Sequence, residues 1–406
     1  MYRPIPISRQ VRTLIAVAII TALPPAAAEA NCADPGCKGI HFTAAYTGDF
    51  ARNTTGGIQT GNSYIDDIDL QLAADRGSIF GIPGLSAFIY ALHNNSADFS
   101  EKYVGDAQVV SNIDGGPDAW RLYEAWLDWA PGTGAISGRL GLYDLNTEFD
   151  TIETAGLFLN GAHGMGTDFG QTGENGPSIF PVTSLALRLR AESENGAYAQ
   201  IAVLDGVPGN PDDRSSNEID LSSNDGALLV IEAGWGAGDW RKLAIGAWQY
   251  TATFDTLVGT DSEDLPLTRN GNSGVYGITD RTLWRGEAAT VAGFLRLGHA
   301  TGRFNQFDTY LGTGITLAGF WPARAYDEIG LAIAATLTSD DYRQAQRLAG
   351  ADTDHHETNI ELTWRAPVTD WLTLQPGVQY IVNPGADREL GNAVVAMLRF
   401  ELSWSL

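Results

Sequence analysis

The sequence contains few of the residues on which metal centres and many catalytic sites depend. It has only two cysteines, Cys32 and Cys37, and no CxxC pair, so a multi-cysteine metal site is excluded. Its six histidines lie outside any GxSxG or HExxH motif. We therefore predict no metal site, no cofactor and no enzymatic activity. A hydrolase whose Ser-His-acid group assembles only in space remains an alternative, because such groups meet in the fold rather than along the chain.

Long apolar runs are absent after residue 30, where none approaches the roughly 20 residues of a membrane helix. Before that point, the short apolar run Leu14–Ile20 follows three arginines and precedes Ala28-Glu29-Ala30. This order is typical of a signal peptide, so we predict that residues 1–30 are removed before Asn31. Export leads to an oxidising compartment, and we expect a local disulfide between the two cysteines. Two unpaired thiols are the alternative.

Positive charge is also scarce. The chain has 25 Lys and Arg against 49 Asp and Glu, for a net charge of −24. Residues 1–30 carry three arginines and one glutamate, so their removal leaves a mature chain at −26. Proteins that bind nucleic acid need basic surfaces, and this balance argues against DNA or RNA as a partner.

Alternation with a period of two is abundant in the sequence. At the C-terminal end, apolar residues from Val394 to Leu406 alternate with a mixed set that includes Arg399 and Glu401. Roughly sixteen such segments occur, each about long enough to cross a bilayer when tilted. In hydrocarbon every backbone polar group needs a partner within the protein, which a sheet provides only by closing on itself. We therefore predict that residues 31–406 form a single all-β domain, a transmembrane antiparallel β-barrel of about sixteen strands.

The connections between these segments alternate in length. Tight turns such as Pro131–Gly134 and Glu194–Gly196 separate long polar loops. The long loops are residues 94–116, 146–181, 205–224, 253–272 and 339–355. Short periplasmic turns and long extracellular loops are typical of outer-membrane barrels, so we predict the outer membrane of a Gram-negative cell. The best helical candidate is Ser339–Leu348, in the last of these loops.

The face opposite the apolar one is charged and aromatic, and we expect it to line the lumen. In the segment Ala119–Trp129, strict alternation turns Arg121 and Tyr123 outward. The same alternation turns four residues inward: Trp120, Glu124, Trp126 and Asp128. Further inward candidates are Arg139, Arg188, Arg190 and Glu232. An aromatic ring packs on the apolar face of a sugar while charged groups hydrogen-bond its hydroxyls, so this lining suits carbohydrate. A ladder of paired ions that supports the wall is the alternative.

The loop of residues 146–181 carries apolar residues that a solvated linker would lack, among them Phe149, Leu157 and Phe169. We predict that it folds into the barrel and narrows it, with its acidic side chains facing Arg188 and Arg190. Its candidate constriction residues are Glu148, Asp150, Asn160, Asp168 and Glu174. An external position is the alternative. The constriction would then fall to Trp120, Glu124, Trp126 and the 94–116 loop.

Several segments, in their order and spacing, resemble the carbohydrate-selective porins of Gram-negative outer membranes. They include RLYEAWLDW (121–129), GLYDLNTEFD (141–150), LFLNGAHG (157–164) and PSIFPVTSLALRLR (177–190). The resemblance implies a sixteen-stranded barrel that passes glucose and related sugars by diffusion, through a constriction of inward-folded loops. The loop residues that match are Glu148, Phe149, Asn160 and the 171–181 segment.

A general cation-preferring diffusion pore is the main alternative function, because acidic loops raise the local cation concentration at the mouth of a pore. The expected partners are small carbohydrates, outer-membrane lipid and lipopolysaccharide. Both a homotrimer and a monomer are consistent with these patterns.

Overall fold

The computed structural model of the chain describes residues 39–77, 81–95, 97–116, 118–210, 219, 225–263 and 265–406. The predicted signal peptide, the cleavage site before Asn31, and the cysteines Cys32 and Cys37 lie outside these residues. Within the described part of the chain, no helix is long and apolar enough to cross a membrane. No three His, Cys, Asp or Glu side chains of that part lie together in a way that could hold a metal ion.

Strands dominate the described residues. They are β1 (Ile40–Gly57), β2 (Gly61–Ala74), β3 (Leu85–Asn94), β4 (Ala119–Trp129), β5 (Ile136–Tyr143), β6 (Ser184–Glu192), β7 (Ala197–Asp205), β8 (Ala227–Ala237), β9 (Trp240–Tyr250), β10 (Phe254–Thr260), β11 (Pro266–Arg269), β12 (Ser273–Arg285), β13 (Thr290–Ala300), β14 (Phe307–Ala318), β15 (Glu328–Thr338), β16 (His356–Thr369), β17 (Leu372–Val382) and β18 (Gly391–Ser405). Sixteen of them form a closed antiparallel barrel, in which β1 pairs with β18. The other two, β10 and β11, form a separate hairpin. The predicted sixteen-stranded barrel is confirmed.

The alternation along each strand separates a lipid-facing surface from a lumen. On β6, Leu187 and Leu189 are 47% and 51% exposed, while Arg188 between them is 2% exposed. The same pattern at the C-terminal end exposes Leu398 and buries Met397. Polar residues thus fill the interior of this barrel and apolar residues cover its outside, the reverse of a soluble protein.

The two rims of the barrel carry different connections. At one rim, residues 130–135, 193–196 and 238–239 join β4 to β5, β6 to β7 and β8 to β9. At the other rim, residues 95–118, 144–183 and 339–355 join β3 to β4, β5 to β6 and β15 to β16. The last of these contains a helix, Asp340–Leu348, whose first turn is capped by Ser339 Oγ accepting from the amide of Tyr342 at 3.2 Å. The predicted helix is confirmed with this cap.

Candidate functional site

The connection between β5 and β6, hereafter the 144–183 segment, lies inside the barrel. Its buried side chains Phe149, Phe158 and Phe169 belong to one apolar cluster with aromatic residues of the barrel wall, including Trp248. The rings of Phe169 and Trp248 stack at 4.8 Å with an interplanar angle of 5°. Burial of these rings fixes the segment against the wall, and the predicted inward fold is confirmed.

Short turns give the 144–183 segment its path. 3-10 turns at Leu145–Thr147, Thr154–Leu157 and Gly161–His163 are followed by one α-helical turn at Thr167–Gly170. Side chains cap two of them: Asp144 accepts from the amide of Asn146 at 2.7 Å, and Asn160 from that of Ala162 at 3.1 Å. A Cβ at Gly166 would lie 2.3 Å from Nη1 of Arg296, so glycine allows the backbone to approach that arginine.

A first group of charges joins the start of the segment to β4, β5 and β6. Arg188 donates from Nε and Nη2 to the two oxygens of Glu148, both at 2.7 Å, and from Nη2 to Asp128 at 2.9 Å. Arg139 lies 3.4 Å from Asp128 and 3.7 Å from Glu148. Burial alone would raise the pKa of Glu148, but Arg139 and Arg188 outweigh it and lower that pKa to about 2. Glu148 therefore faces Arg188 as predicted, and it is ionised.

A second group of charges centres on Arg296 of β13. Its guanidinium binds Asp150 at 2.7 Å through Nη2 and also binds Asp168, so one cation serves two carboxylates of the segment. Asp150 has a positive φ of 55°, and its amide donates to Glu232 at 2.9 Å. Burial raises the pKa of Asp150 to about 6 in spite of Arg296, and burial likewise raises the pKa of Asp168.

Arg190 does not take the place predicted for it. Arg190 binds Glu192 at 2.9 Å and Gln200 at 2.8 Å, and its guanidinium lies 4.3 Å from the centre of the Tyr198 ring. Glu174 is exposed. The expectation that the acidic side chains of the segment face Arg190 is therefore wrong, because this arginine is held by neighbours on β6 and β7.

A bulge in β4 reverses part of the predicted lining. Tyr90 pairs with Glu124 and Ala91 pairs with Leu122, so Tyr123 is an extra residue in the strand. Beyond it the alternation changes sign: Trp120 is 51% exposed on the lipid side, while Arg121 and Tyr123 are buried in the lumen. The predicted orientations of Trp120, Arg121 and Tyr123 are wrong for this reason. Arg121 donates to the carbonyl of Pro181 at 3.3 Å, at the end of the segment.

Glu124, Trp126 and Asp128 lie on the inward side, as predicted. Trp126 Nε1 donates to Glu124 at 3.2 Å, so the tryptophan does sit beside a carboxylate. Its ring, however, is stacked with Phe88 of β3 at 5.2 Å and lies 3.8 Å from the guanidinium of Arg139 on β5. These neighbours approach from the strands on either side of β4, so Trp126 is part of the packed wall.

Residues 97–116 form a second segment that lies in the lumen. The sequence predicted a constriction at this loop only for the case in which the 146–181 loop was external. Ser111 donates to Asp49 of β1 at 2.7 Å, and Arg399 of β18 donates to Asn112 at 2.8 Å. The amides of Ala107 and Gln108 donate to Glu357 of β16 at 2.8 and 3.0 Å. Its polar composition alone is equally typical of an external loop. The only hint in the sequence was the alternation on β18, which turns Arg399, a partner of this segment, toward the lumen.

Backbone amides of the 144–183 segment are bound in the same way. Those of Leu159 and Asn160 donate to the carboxylate of Glu361 on β16 at 2.7 and 2.9 Å, and the amide of Thr154 donates to Asp280 of β12 at 2.9 Å. Asn160 is fully buried. It is thus placed in the lumen as predicted, but its contacts are with the protein rather than with the open bore.

The lumen therefore combines two folded segments with compensated charges. Arg188, Arg296 and Arg399 each face carboxylates, and Lys242 lies 2.9 Å from Glu232. In this lining each of these four cations is neutralised by a neighbouring carboxylate, and many polar contacts are available. Such a lining suits passage of polar solutes rather than tight binding.

Comparison with known proteins identifies the family. The model of the carbohydrate-selective porin, OprB family, matches residues 59–404. The chain belongs to this porin family. It is 28% identical to Porin B of Pseudomonas aeruginosa, covering 90% of this chain and 87% of that protein. It is 22% identical to the putative porin QuiX of Acinetobacter baylyi, covering 90% of each chain.

Among solved structures, the high-pH structure of Pseudomonas putida OprB matches with a TM-score of 0.80 and 22% identity, over 90% of this chain and 94% of that one. The agreement shows a common fold. As a carbohydrate-selective porin, this protein lets carbohydrate diffuse passively through a β-barrel of the Gram-negative outer membrane. The family consists of passive channels, so the alternative of a hydrolase is set aside.

Proposed function

We propose that the solutes are small neutral sugars, glucose and its relatives, which pass through the part of the bore that the 97–116 and 144–183 segments together leave open. The observation that carries this proposal is the compensation of lumen charge by pairs such as Arg188 with Glu148. A pore whose charges neutralise one another locally neither repels nor traps a neutral polar solute. Polar groups that remain partly exposed, such as Arg190 and Glu192, supply donors and acceptors for hydroxyls.

The proposal extends to the surroundings of the barrel. Outer-membrane lipid and lipopolysaccharide would contact the apolar outer face, with the short turns in the periplasm and the long loops outside the cell. Export would require removal of residues 1–30, and Cys32 and Cys37 would form a disulfide. Mass spectrometry of the mature protein, with and without reductant, tests both points. Sedimentation in detergent distinguishes a monomer from a homotrimer.

Liposome swelling tests the proposed solutes. Reconstituted protein should admit glucose and other monosaccharides faster than a disaccharide, and a trisaccharide slowest, because the two segments limit the free width. The control is empty liposomes of the same lipid. Sugar entry no faster than in that control, across the whole series, would contradict the proposal.

A general cation-preferring pore is the second candidate, favoured by the net charge of −24. Reversal potentials across a planar bilayer, measured with and without sugar, separate the two. Block of the ion current that grows with sugar concentration supports the sugar pathway. Strong cation preference without any block by sugar supports the general pore.

A further inference from the structure

The two inward segments meet on one small area of the wall. Glu361 of β16 and Gln379 of β17 are direct partners across the two strands, and both side chains point into the lumen. They are 0% and 1% exposed. Buried polar groups on neighbouring strands need partners, and here the partners come from the segments rather than from solvent.

This pair of side chains holds both segments at once. Glu361 accepts from the amides of Leu159 and Asn160 at 2.7 and 2.9 Å. Gln379 donates to the carbonyl of Val110 at 2.7 Å and accepts from Nδ2 of Asn160 at 3.3 Å. A carboxylate that receives two successive amides forms charge-assisted hydrogen bonds, which are stronger than neutral ones.

The segments also bind each other at this point. The amide of Gly161 donates to the carbonyl of Val109 at 2.8 Å, and the amide of Asn112 donates to that of Leu159 at 2.7 Å. Val109 has a φ of 58°, which is unfavourable for a β-branched residue. Such a conformation persists only where the surroundings impose it, so the contact between the segments maintains a strained backbone at Val109.

We propose that Glu361 and Gln379 are positioning residues that set the width of the pore. They hold the 97–116 and 144–183 segments together as one constriction, although neither residue touches the solute. Release of this contact widens the bore and weakens discrimination among solutes. The sugar measurement rests on the proposed function, whereas ion conductance in sugar-free buffer tests the same proposal independently.

The first experiment substitutes Glu361→Gln and records single-channel conductance and block by glucose. The amide keeps the size of the side chain but presents an NH2 group toward backbone donors. We expect the balance between docked and released segments to shift about tenfold toward release, the usual effect of losing a charge-assisted hydrogen bond. Conductance should rise, current noise should increase, and more glucose should be needed for half-block.

Glu401→Gln is the matched control. Glu401 lies on β18 two residues beyond Arg399, so the variant removes the same charge from the lumen nearer the rim with the short turns. It should change ion preference slightly and leave the conductance fluctuations and the half-blocking glucose concentration near those of the wild type. Behaviour of Glu361→Gln indistinguishable from that of Glu401→Gln would overturn the proposal.

A disulfide between the two segments should restore wild-type properties to the Glu361→Gln variant. A Cβ at position 161 would lie 3.6 Å from the Cβ of Val109, within the range of about 3.5–4.5 Å found in disulfides. We combine Gly161→Cys, Val109→Cys and Glu361→Gln, with Cys32→Ser and Cys37→Ser to remove the native thiols. Oxidation should restore wild-type conductance and block, and reductant should abolish that restoration. Failure of the oxidised pair to restore either property would refute a role in holding the segments together.

The same cross-link in the presence of Glu361 keeps the proposal testable if Glu361→Gln does not fold, as judged by the heat-dependent mobility of the barrel on gels. Because the native contact already joins the segments, the disulfide should form readily and leave conductance unchanged. A marked fall in conductance on oxidation would show that the segments are apart in the working pore, which contradicts the proposal.

Discussion

Besides its apolar contacts, the 144–183 segment is held in the barrel by two kinds of polar anchor, and they differ in what they require. At one kind, side chains of the segment bind wall arginines: Glu148 binds Arg188, and Asp150 and Asp168 bind Arg296. At the other, its backbone amides bind wall carboxylates such as Glu361. Ionic anchors depend on the charge state and identity of residues in the segment. Amide anchors depend only on the path of its backbone and on the wall.

The difference has an energetic consequence. Removal of the cation from an ionic anchor leaves buried carboxylates without compensation, which is among the most destabilising changes known in proteins. Removal of the acceptor from an amide anchor leaves unpaired N–H groups, at a smaller cost of roughly 1–3 kcal/mol. Three predictions concern the ionic contacts, in order from the largest expected effect to the smallest.

Arg296→Ala should have the largest effect. It leaves Asp150 and Asp168 facing each other without their shared cation, so we expect a loss of about 3–5 kcal/mol in the free energy of unfolding or release of the segment from the wall. Urea unfolding followed by tryptophan fluorescence measures the first outcome, and a rise in single-channel conductance reports the second. An unchanged urea midpoint together with an unchanged conductance would show that the anchor contributes little.

Arg188→Ala and Arg190→Ala should differ, although both arginines face inward on β6. Arg188 compensates Glu148 and Asp128, so its loss leaves uncompensated negative charge and should move the reversal potential toward cation preference. Arg190 pairs with the half-exposed Glu192, a kind of pair worth about 0–1 kcal/mol, and its loss should shift the reversal potential much less. Equal shifts in the two variants would contradict the assignment of separate roles.

Acidification should distinguish the anchor at Asp150 from the anchor at Glu148, through a smaller change in ion preference. The pKa of Asp150 is raised to about 6 by burial, and that of Glu148 is lowered to about 2 by its arginines in spite of burial. Between about pH 7 and about pH 5, Asp150 therefore takes up a proton while Glu148 stays ionised. The lumen becomes more positive, and cation preference should fall as pH falls.

The sign for stability follows from the same shift. The folded protein binds the Asp150 proton more tightly than the unfolded chain, so this residue's contribution to stability rises as pH falls from about 6 toward its ordinary pKa of 3.8. Reversal potentials of Asp150→Asn should show a reduced pH step, and those of Glu148→Gln should retain it. A full pH step in Asp150→Asn would assign the titration to another group.

The sequence predicted the barrel and part of its lining well because each depends on local patterns. Two-residue alternation predicted the strands, and an inward arginine near an apolar-anchored loop predicted the contact of Arg188 with Glu148. It failed at Trp120, Arg121 and Tyr123 because one extra residue in a strand reverses the alternation on one side of it relative to the other. It failed at Arg190 because an inward direction does not specify a partner.

The amino-acid sequence by itself determined that this chain closes into a barrel, since apolar residues at every second position need lipid on one side and backbone groups in lipid need partners. It also determined that Arg139, Arg188 and Arg190 stand on the inward face. Only the tertiary structure decided how the pore is narrowed. The inward position of the 97–116 segment and the contacts of Glu361 and Gln379 with the two inward segments depend on hydrogen bonds to backbone N–H and C=O groups. Every residue carries these groups, except that proline lacks the N–H, so no residue type marks such contacts in the sequence.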